Sequence, residues 1–359
     1  MVRKKVRIGG LVIGPGEPVR VQSMTSTHTE DIKGTVNQIR ELEKAGCEIV
    51  RVAVPDFESA EAIREIKKQI NIPLVADIHF DYRLAMRAVE AGADKIRINP
   101  GNIGSDWKVR EVVKACKEKD IPIRVGANSG SLKKELRRKM PVEDALVESV
   151  REEVKILEDM GFDNIVISIK ASDVGVFIRA NQKAHREFQY PFHIGVTEAG
   201  PVPQGIVKSS IGIGFLLMNG IGDTIRVSLT ADPVEEIEVA YDILASTGIR
   251  KVYPEIISCP TCGRMEIDLL KLIEKVKPLW EGLKLPLKIA VMGCAVNGPG
   301  EAREADIGIA GGRGYGLIFR KGEIIKSVPE VDLYNEFKRE LQKLIREVEN
   351  AHEGGKGEG

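Results

Sequence analysis

The sequence predicts an α/β protein with a parallel (β/α)8 barrel in its first part and a smaller α/β domain after it. Two observations favour the barrel. Eight short segments rich in Val, Ile and Thr occur before residue 245, and amphipathic helical segments separate them. Eight such units in about 230 residues match the usual size of a TIM barrel. A doubly wound open sheet is the alternative, but that fold usually has fewer strands, and no Gly-rich fingerprint follows the first predicted strand.

The predicted strands of the barrel are short β-branched runs bounded by turn residues. They are residues 18–25, 48–55, 72–79, 95–102, 121–128, 164–171, 192–199 and 224–231. Between the strands, apolar residues recur at the i, i+3, i+4, i+7 spacing of a helix, as in Val109, Val112, Val113 and Cys116. We expect the barrel domain to span residues 1–247.

A second pattern begins after Gly248. Strands are predicted at KVYPEIIS, LKIAVMG and EADIGIAG, and a hairpin at YGLIFRKGEIIKSV. Two helices are predicted, one with an apolar face that includes Leu269 and Ile273, and a final one over about residues 330–351. We expect a domain over residues 248–351 and a disordered tail over residues 352–359.

Composition excludes several classes of protein. Lys+Arg and Asp+Glu number 53 each, and a formal net charge of +0 argues against a nucleic-acid-binding protein. No apolar run reaches the ~18 residues that cross a membrane. The start MVRKKVRIGG lacks the apolar region of a secretory signal, so a cytoplasmic location is expected. Five cysteines, an odd number, argue against a disulfide framework in such a chain.

Four predicted strands carry an arginine between β-branched residues: Arg51, Arg97, Arg124 and Arg226. Strand side chains alternate between faces, and the β-branched neighbours favour the helix-covered outside, so the arginines should point into the lumen. They could pair with acids there, but acids near these positions are few, mainly Asp77 and Glu198. Unpaired buried cations are costly, and the guanidinium fork matches phosphate oxygens. We therefore expect a substrate with two phosphates.

Further polar residues lie near the carboxyl ends of the predicted strands, where the active sites of such barrels form. Asn128 and Lys170 are at strand ends, and Asn99 and Ser228 follow two of the arginines by two residues, on the same face.

Two strand-end residues, His79 and Glu198, have alternative interpretations. Asp77 and His79 are two residues apart and share a face. His79 could be an acid/base, a donor to phosphate or a buried structural histidine. Glu198 could be a general acid/base or the structural partner of an arginine.

The second domain contains a CxxC pair, Cys259 and Cys262, and a third thiol, Cys294. Cys47 and Cys116 are expected to be structural. The nearest candidate for a fourth ligand is Glu301, which follows Cys294 across Asn-Gly-Pro-Gly. We expect this segment to be a stiff turn, because Pro and Gly weaken both helices and strands.

The cysteine spacing permits a catalytic [4Fe–4S] cluster, a structural zinc site or thiol redox chemistry. A carboxylate is a hard ligand among soft thiolates and is therefore more easily displaced. This favours a cluster with one exchangeable position over a closed zinc site.

Four stretches together closely resemble one family: RVGANSGSL (124–132), GDTIRVSL (222–229), SCPTCGR (258–264) and MGCAVNGPGEAREADIGIAGG (292–312). The chain resembles the 4-hydroxy-3-methylbut-2-en-1-yl diphosphate synthases of the non-mevalonate isoprenoid pathway, in their short two-domain bacterial form. The resemblance covers essentially the whole chain. It implies a [4Fe–4S] oxidoreductase that opens and dehydrates 2-C-methyl-D-erythritol 2,4-cyclodiphosphate to the linear allylic diphosphate, with electrons from ferredoxin or flavodoxin.

The resemblance also implies roles for residues. Cys259, Cys262 and Cys294 would bind three irons, and Glu301 would bind the fourth and yield it to substrate. Glu198 would contact and protonate the departing hydroxyl, and Asp77 and His79 would line the pocket. The residues that would hold the diphosphate are Arg51, Arg97, Asn99, Arg124, Asn128, Lys170, Arg226 and Ser228.

The resemblance further implies a head-to-tail homodimer in which the cluster domain of one chain caps the barrel of the other. Two alternatives keep the barrel without the cluster. One is a zinc-stabilised barrel that only binds a phosphorylated metabolite, and the other is a transferase resembling dihydropteroate synthase with an appended zinc module.

Overall fold

A computed structural model describes residues 3–98, 103, 105–295 and 298–354 of the chain. The chain forms two compact units, Met1–Arg250 and Lys251–Gly359. Within the part that the structure describes, no helix combines the length and the apolar character needed to cross a membrane.

The first unit opens with an antiparallel hairpin of β1 (Val6–Ile8) and β2 (Leu11–Ile13). Eight parallel strands follow, each within a segment predicted to be a strand. They are β3 (Arg20–Met24), β4 (Ile49–Ala53), β5 (Leu74–Ile78), β6 (Lys95–Ile98), β7 (Ile123–Asn128), β8 (Ile165–Lys170), β9 (His193–Ile194) and β10 (Thr224–Ile225).

The strand order is β8-β7-β6-β5-β4-β3-β10-β9, so the first barrel strand pairs with the last. A bridge between Ile167 and Phe192 joins the two ends, and the Ile167 N–H donates to the Pro191 carbonyl at 2.9 Å. The predicted barrel is confirmed, and an open doubly wound sheet is excluded. The last two strands are shorter than predicted, with two residues each, although the Arg226 N–H still donates to the Ile194 carbonyl at 3.0 Å.

Helices connect the strands and cover the outside of the barrel. They are Ile32–Ala45, Phe57–Lys67, Tyr82–Ala91, Asp106–Glu118, Lys134–Lys139, Val142–Glu158, Val174–Glu187, Gln204–Met218 and Pro233–Ser246. Several begin at an aspartate whose side chain accepts a backbone N–H of the first turn, as Asp56 does from Ser59.

The amino-terminal hairpin packs against the barrel strands. Val6, Ile8 and Ile13 form one buried apolar cluster with three residues near strand starts, Ile49, Val75 and Val166. This cluster, called the floor here, closes the amino-terminal end of the lumen. The polar lumen residues therefore lie above an apolar base.

The second unit contains one five-stranded sheet. Its strands, in spatial order, are β11 (Glu255–Ser258), β12 (Lys288–Met292), β13 (Ile307–Gly312), β14 (Tyr315–Arg320) and β15 (Glu323–Pro329). The first three are parallel and the last two pair antiparallel, which confirms the predicted hairpin. Lys321 and Gly322, with φ of 49° and 83°, make its turn.

The helices of the second unit are Leu269–Val276, Gly298–Glu301 and Leu333–Gly354. Helix Leu333–Gly354 packs Phe337 and Leu341 against sheet residues such as Ile309. The helix continues past residue 351, into the segment expected to be a tail, and residues 355–359 lie outside the described part of the chain.

Candidate active site

A polar pocket opens at the carboxyl ends of the barrel strands. Eight of the residues predicted from the sequence line it: Arg51, Asp77, His79, Arg97, Arg124, Asn128, Lys170 and Arg226. Their neighbours along the strands, such as Val50 and Val52, are fully buried on the outer face of the sheet. Alternation of side chains along each strand therefore accounts for the pocket.

The strand register pairs several of the pocket residues across neighbouring strands. Asp77 lies opposite Arg97 across β5 and β6, Arg97 lies opposite Arg124 across β6 and β7, and Asn128 lies opposite Lys170 across β7 and β8.

Asp77 accepts hydrogen bonds and ion pairs from three directions. Its Oδ1 accepts from Arg97 Nη1 at 2.6 Å, and its Oδ2 lies 3.5 Å from Arg51 Nε and 3.5 Å from His79 Nε2. Burial alone would raise the pKa of Asp77, but Arg51, the His79 hydrogen bond and Arg97 together hold it well below its usual value. Asp77 is therefore a fixed anion that orients two arginines.

Arg51 has a second neighbour, Met24, whose sulfur accepts from its Nη2 at 2.9 Å and its Nε at 3.1 Å. Burial lowers the pKa of Arg51 to about 10, with Asp77 opposing the shift. That value is far above neutrality, so this guanidinium is charged.

Arg124 and Lys170 are buried basic side chains, and among the described residues neither forms an ion pair with a carboxylate. Arg124 is 1% exposed, and its Nε and Nη1 have no hydrogen-bond partner among the described residues. Burial, and then repulsion from Arg51, lower the pKa of Lys170 well below its usual value. Buried donors without a partner, such as Nε and Nη1 of Arg124, are typical of a site that binds an anion.

Arg226 pairs with Glu236, which the sequence did not suggest. Arg226 Nη2 lies 3.2 Å from Glu236 Oε1, and the same carboxylate accepts from Ser23 Oγ and from the Leu229 N–H. Glu236 is buried on helix Pro233–Ser246, behind the strand. It holds Arg226 in place from outside the pocket.

Four lining residues were also missed: Met24, Gly126, Ser168 and Thr197. Gly126 and Ser168 precede Asn128 and Lys170 by two residues, so the strand period could have found them. A Cβ at Gly126 would lie 2.2 Å from the Ser168 carbonyl oxygen, which explains why glycine occupies this position.

Two predicted residues that the structure describes, Glu198 and Ser228, do not line this pocket. Glu198 is exposed just after β9, with a left-handed φ of 51° that is unusual for a non-glycine residue. Ser228 is half-buried, two residues after Arg226. Asn99 lies outside the described residues.

The predicted metal ligands lie in the second unit. Cys259 directly follows β11 and Cys294 lies two residues after β12, and these strands are parallel neighbours with Ser258 opposite Val291. The Gly293 N–H donates to Cys259 Sγ at 3.2 Å. Cys262 is exposed, and hydrogen bonds from Arg264 lower the pKa of its thiol.

Glu301 lies on a helical turn. The expectation of a non-helical turn was wrong, because Gly298–Glu301 is helical. Pro299 is tolerated in a first helical turn, where its missing N–H has no intrahelical role. Gly298 packs closely, since a Cβ there would lie 2.8 Å from Ala310 Cβ.

Among the residues that the structure describes, no three His, Cys, Asp or Glu side chains come close enough together to enclose a metal ion. The donor chemistry nevertheless fits an iron–sulfur cluster. Two of the three thiols, Cys259 and Cys294, lie at the ends of neighbouring strands. The Gly293 N–H donates to the sulfur of Cys259, and Arg264 favours the thiolate form of Cys262.

Cys47 and Cys116 are buried, and burial raises the pKa of each thiol to about 12.

Solved structures similar to this chain share the barrel. Dihydropteroate synthase from Yersinia pestis matches with a TM-score of 0.50 at 13% identity, covering 68% of this chain and 98% of that structure. The enzyme from Stenotrophomonas maltophilia matches with a TM-score of 0.51 at 14% identity, covering 67% and 98%. At these identities the likeness concerns the fold alone.

Sequence comparison identifies the family. Residues 3–241 match the GcpE TIM-barrel domain, and residues 255–343 match the GcpE protein C-terminal domain. A relative from Thermodesulfovibrio yellowstonii is 56% identical over 342 residues, 95% of this chain and 98% of its own length. One from Geobacillus kaustophilus is 56% identical over 346 residues, 96% and 92% of the two chains.

Both relatives are named 4-hydroxy-3-methylbut-2-en-1-yl diphosphate synthase (flavodoxin). The predicted class of protein, an enzyme, is confirmed by these names. The two family matches cover both units of the chain, and more than half of the aligned residues are identical in relatives that align over almost their whole length. The chain therefore belongs to the GcpE family.

Proposed function

We propose that the chain catalyses the two-electron reductive ring opening and dehydration of 2-C-methyl-D-erythritol 2,4-cyclodiphosphate to 4-hydroxy-3-methylbut-2-en-1-yl diphosphate. The observation that carries the proposal is the lumen pocket, in which four arginines and one lysine face a single carboxylate among the described lining residues. Arg124 has two buried nitrogens without a partner among the described residues, as expected of a site built for an anion.

The balance of the reaction explains the excess of positive charge. The tertiary carbon–oxygen bond breaks, and the diphosphate leaves with the bonding pair, so it gains one negative charge. The neighbouring hydroxyl takes up a proton and leaves as water, and a double bond forms between the two carbons. Two electrons from the reductant, together with the one proton that the hydroxyl takes up, complete the balance. Cations already fixed around the diphosphate stabilise the charge that develops as this bond breaks.

The charged residues of the pocket have distinct parts in this proposal. Asp77 fixes Arg51 and Arg97, and Glu236 fixes Arg226, so three guanidinium groups are oriented before substrate arrives. The remaining donors to the diphosphate would be Arg124, Asn128, Lys170 and Ser228, with Asn99 and His79 beside them.

Glu198 would supply the proton that the departing hydroxyl takes up. Its support is its place just after β9, on the carboxyl side of the barrel, and its left-handed backbone. Such strained positions cluster at functional sites because the surrounding structure enforces them.

Cys259, Cys262 and Cys294, with Glu301 as the fourth ligand, would hold a [4Fe–4S] cluster. When bound, the cluster would pass the two electrons from the external carrier to the substrate, one at a time. The relatives are named for flavodoxin, an electron carrier, which supports a redox group over zinc. Neither zinc alternative gains support from the relatives' names.

The proposal includes its partners. Flavodoxin or ferredoxin would deliver the electrons, and two chains would form the head-to-tail homodimer. A cytoplasmic location, where both carriers occur, also belongs to the proposal.

The test is anaerobic purification followed by metal analysis and assay. The protein should be brown, carry about four irons per chain, bleach on reduction and convert the cyclic diphosphate when reduced flavodoxin is supplied. Colourless protein with one zinc per chain and no conversion would overturn the proposal.

A further inference from the structure

Lys95 is a lumen lysine that the proposed mechanism does not use. It precedes Arg97 on β6 by two residues, so both side chains are on the lumen face. Lys95 is 0% exposed, and its Nζ has no hydrogen-bond partner among the described residues. It is not a lining residue of the pocket. Val75, its partner across β5, belongs to the apolar floor. The lysine therefore lies between the floor and the pocket.

The charges around Lys95 are mainly positive. The titratable lumen groups on the surrounding strands, from β4 to β10, are Arg51, Asp77, Arg97, Arg124, Lys170, His193 and Arg226. On the covering helices, the buried carboxylates behind the strands are Glu153 and Glu236. Asp77 pairs with Arg51 and Arg97, and Glu236 with Arg226, so neither is available to Lys95.

Burial, and then repulsion from Arg124 and Arg51, lower the pKa of Lys95 well below its usual value. Arginines do not lose their protons in proteins, whereas a buried lysine does so readily. Lys95, like Lys170, can therefore relieve positive charge in the lumen by releasing its proton.

We propose that Lys95 is neutral in the empty barrel and takes up a proton when the cyclic diphosphate enters the pocket. The inference rests on the proposed function of the pocket. Two negative charges among the arginines offset the repulsion that keeps the proton off Lys95. The protonated lysine then adds a further cation to the bound state. Binding and protonation are linked, so affinity falls as pH rises between the values at which free and bound Lys95 titrate.

His193 and Lys170 are competing proton acceptors in the same lumen. His193 Nδ1 lies 2.8 Å from Thr224 Oγ1, and burial, followed by repulsion from Arg124, lowers the pKa of its ring well below the usual value. Lys170 lines the pocket itself. A test must therefore assign the proton by substitution at Lys95.

The experiment is calorimetric titration of cluster-loaded, oxidised enzyme with the cyclic diphosphate and without reductant. Two buffers that differ in enthalpy of ionisation report the protons taken up at each pH. The ligand contributes no protons near neutrality, because each phosphorus carries one ester and one anhydride bond and therefore has a single, strongly acidic proton. The wild type should take up protons on binding, and Lys95→Met should take up about one fewer per site.

Lys95→Arg is the matched second variant, because it carries a permanent charge at the same place. Lys95→Arg should also lose the proton uptake on binding, but it should keep its affinity for the cyclic diphosphate at high pH. It replaces Lys95→Met in the experiment if that variant does not fold. Binding with the same uptake in wild type and both variants would overturn the inference alone. Absence of any binding heat in the wild type would overturn the proposed function as well.

Discussion

Arg97 Nη1 donates a hydrogen bond to Asp77 Oδ1 at 2.6 Å, and both side chains are buried in the barrel lumen. Asp77→Asn would remove the one carboxylate among the described lining residues and leave Arg51 and Arg97 without that counter-charge. We expect a loss of about 3–5 kcal/mol in the free energy of unfolding, measured with urea. The control is Glu65→Gln, which breaks an exposed pair with Lys68 and should cost less than about 1 kcal/mol. Equal losses in the two variants would contradict a structural role for Asp77.

The same carboxylate should contribute to acid unfolding. The pKa of Asp77 is lowered in the folded protein, so its contribution to stability is present above the unfolded value, about 3.9, and disappears as pH falls through the folded value. The free energy of unfolding of the wild type, measured with urea, should therefore fall steadily below about pH 4. In Asp77→Asn this free energy should depend less steeply on pH in the same range. Parallel pH profiles would show that Asp77 is not the group concerned.

These expectations rest on a feature that sequence alone could predict. A period of two places Arg51, Arg97, Arg124 and Arg226 on one face wherever β-branched residues flank them. The partner Glu236 could not be found this way, because it reaches Arg226 from a helix behind the strand. The helical turn at Pro299 was missed for a different reason, since composition lowers helix propensity on average but does not forbid a first turn.

Arg124 offers a test of anion binding with little structural cost. Its Nε and Nη1 have no protein partner among the described residues, so Arg124→Met should fold with stability near or above that of the wild type. Loss of a charge-assisted donor should weaken binding of the cyclic diphosphate about tenfold to a hundredfold, measured by calorimetry. Arg110→Met, an exposed change on helix Asp106–Glu118, is the control and should leave affinity unchanged. Unchanged affinity in Arg124→Met would remove this residue from the diphosphate site.

Gly298 and Gly300 form a matched pair on the turn that carries Glu301. A Cβ at Gly298 would lie 2.8 Å from Ala310 Cβ and 3.0 Å from Met292 Cβ, whereas a Cβ at Gly300 would meet nothing within 4 Å. Gly298→Ala should displace the turn, lower the thermal midpoint by several degrees and reduce the iron retained per chain. Gly300→Ala should have none of these three effects. Identical iron content in the two variants would argue against a role for this turn in holding the cluster.

The proposed homodimer can be tested by complementation. Cys294→Ser removes one proposed cluster ligand, and Glu198→Gln removes the proposed proton donor, so each homodimer should be nearly inactive. In a head-to-tail dimer, a mixed pair contains one intact combination of barrel and cluster. Activity should therefore recover partly on mixing, with tagged chains used to show that heterodimers form. Heterodimers without activity would contradict the shared site.

The floor beneath the lumen has a kinetic consequence. The hairpin residues Val6, Ile8 and Ile13 close the amino-terminal end with apolar side chains, so within the described residues the pocket opens at the carboxyl ends of the strands. The cyclic reactant must then enter, and the linear product leave, through the same opening of the pocket. Each turnover has to empty the barrel before the next molecule enters, and added product should compete with substrate for the free enzyme.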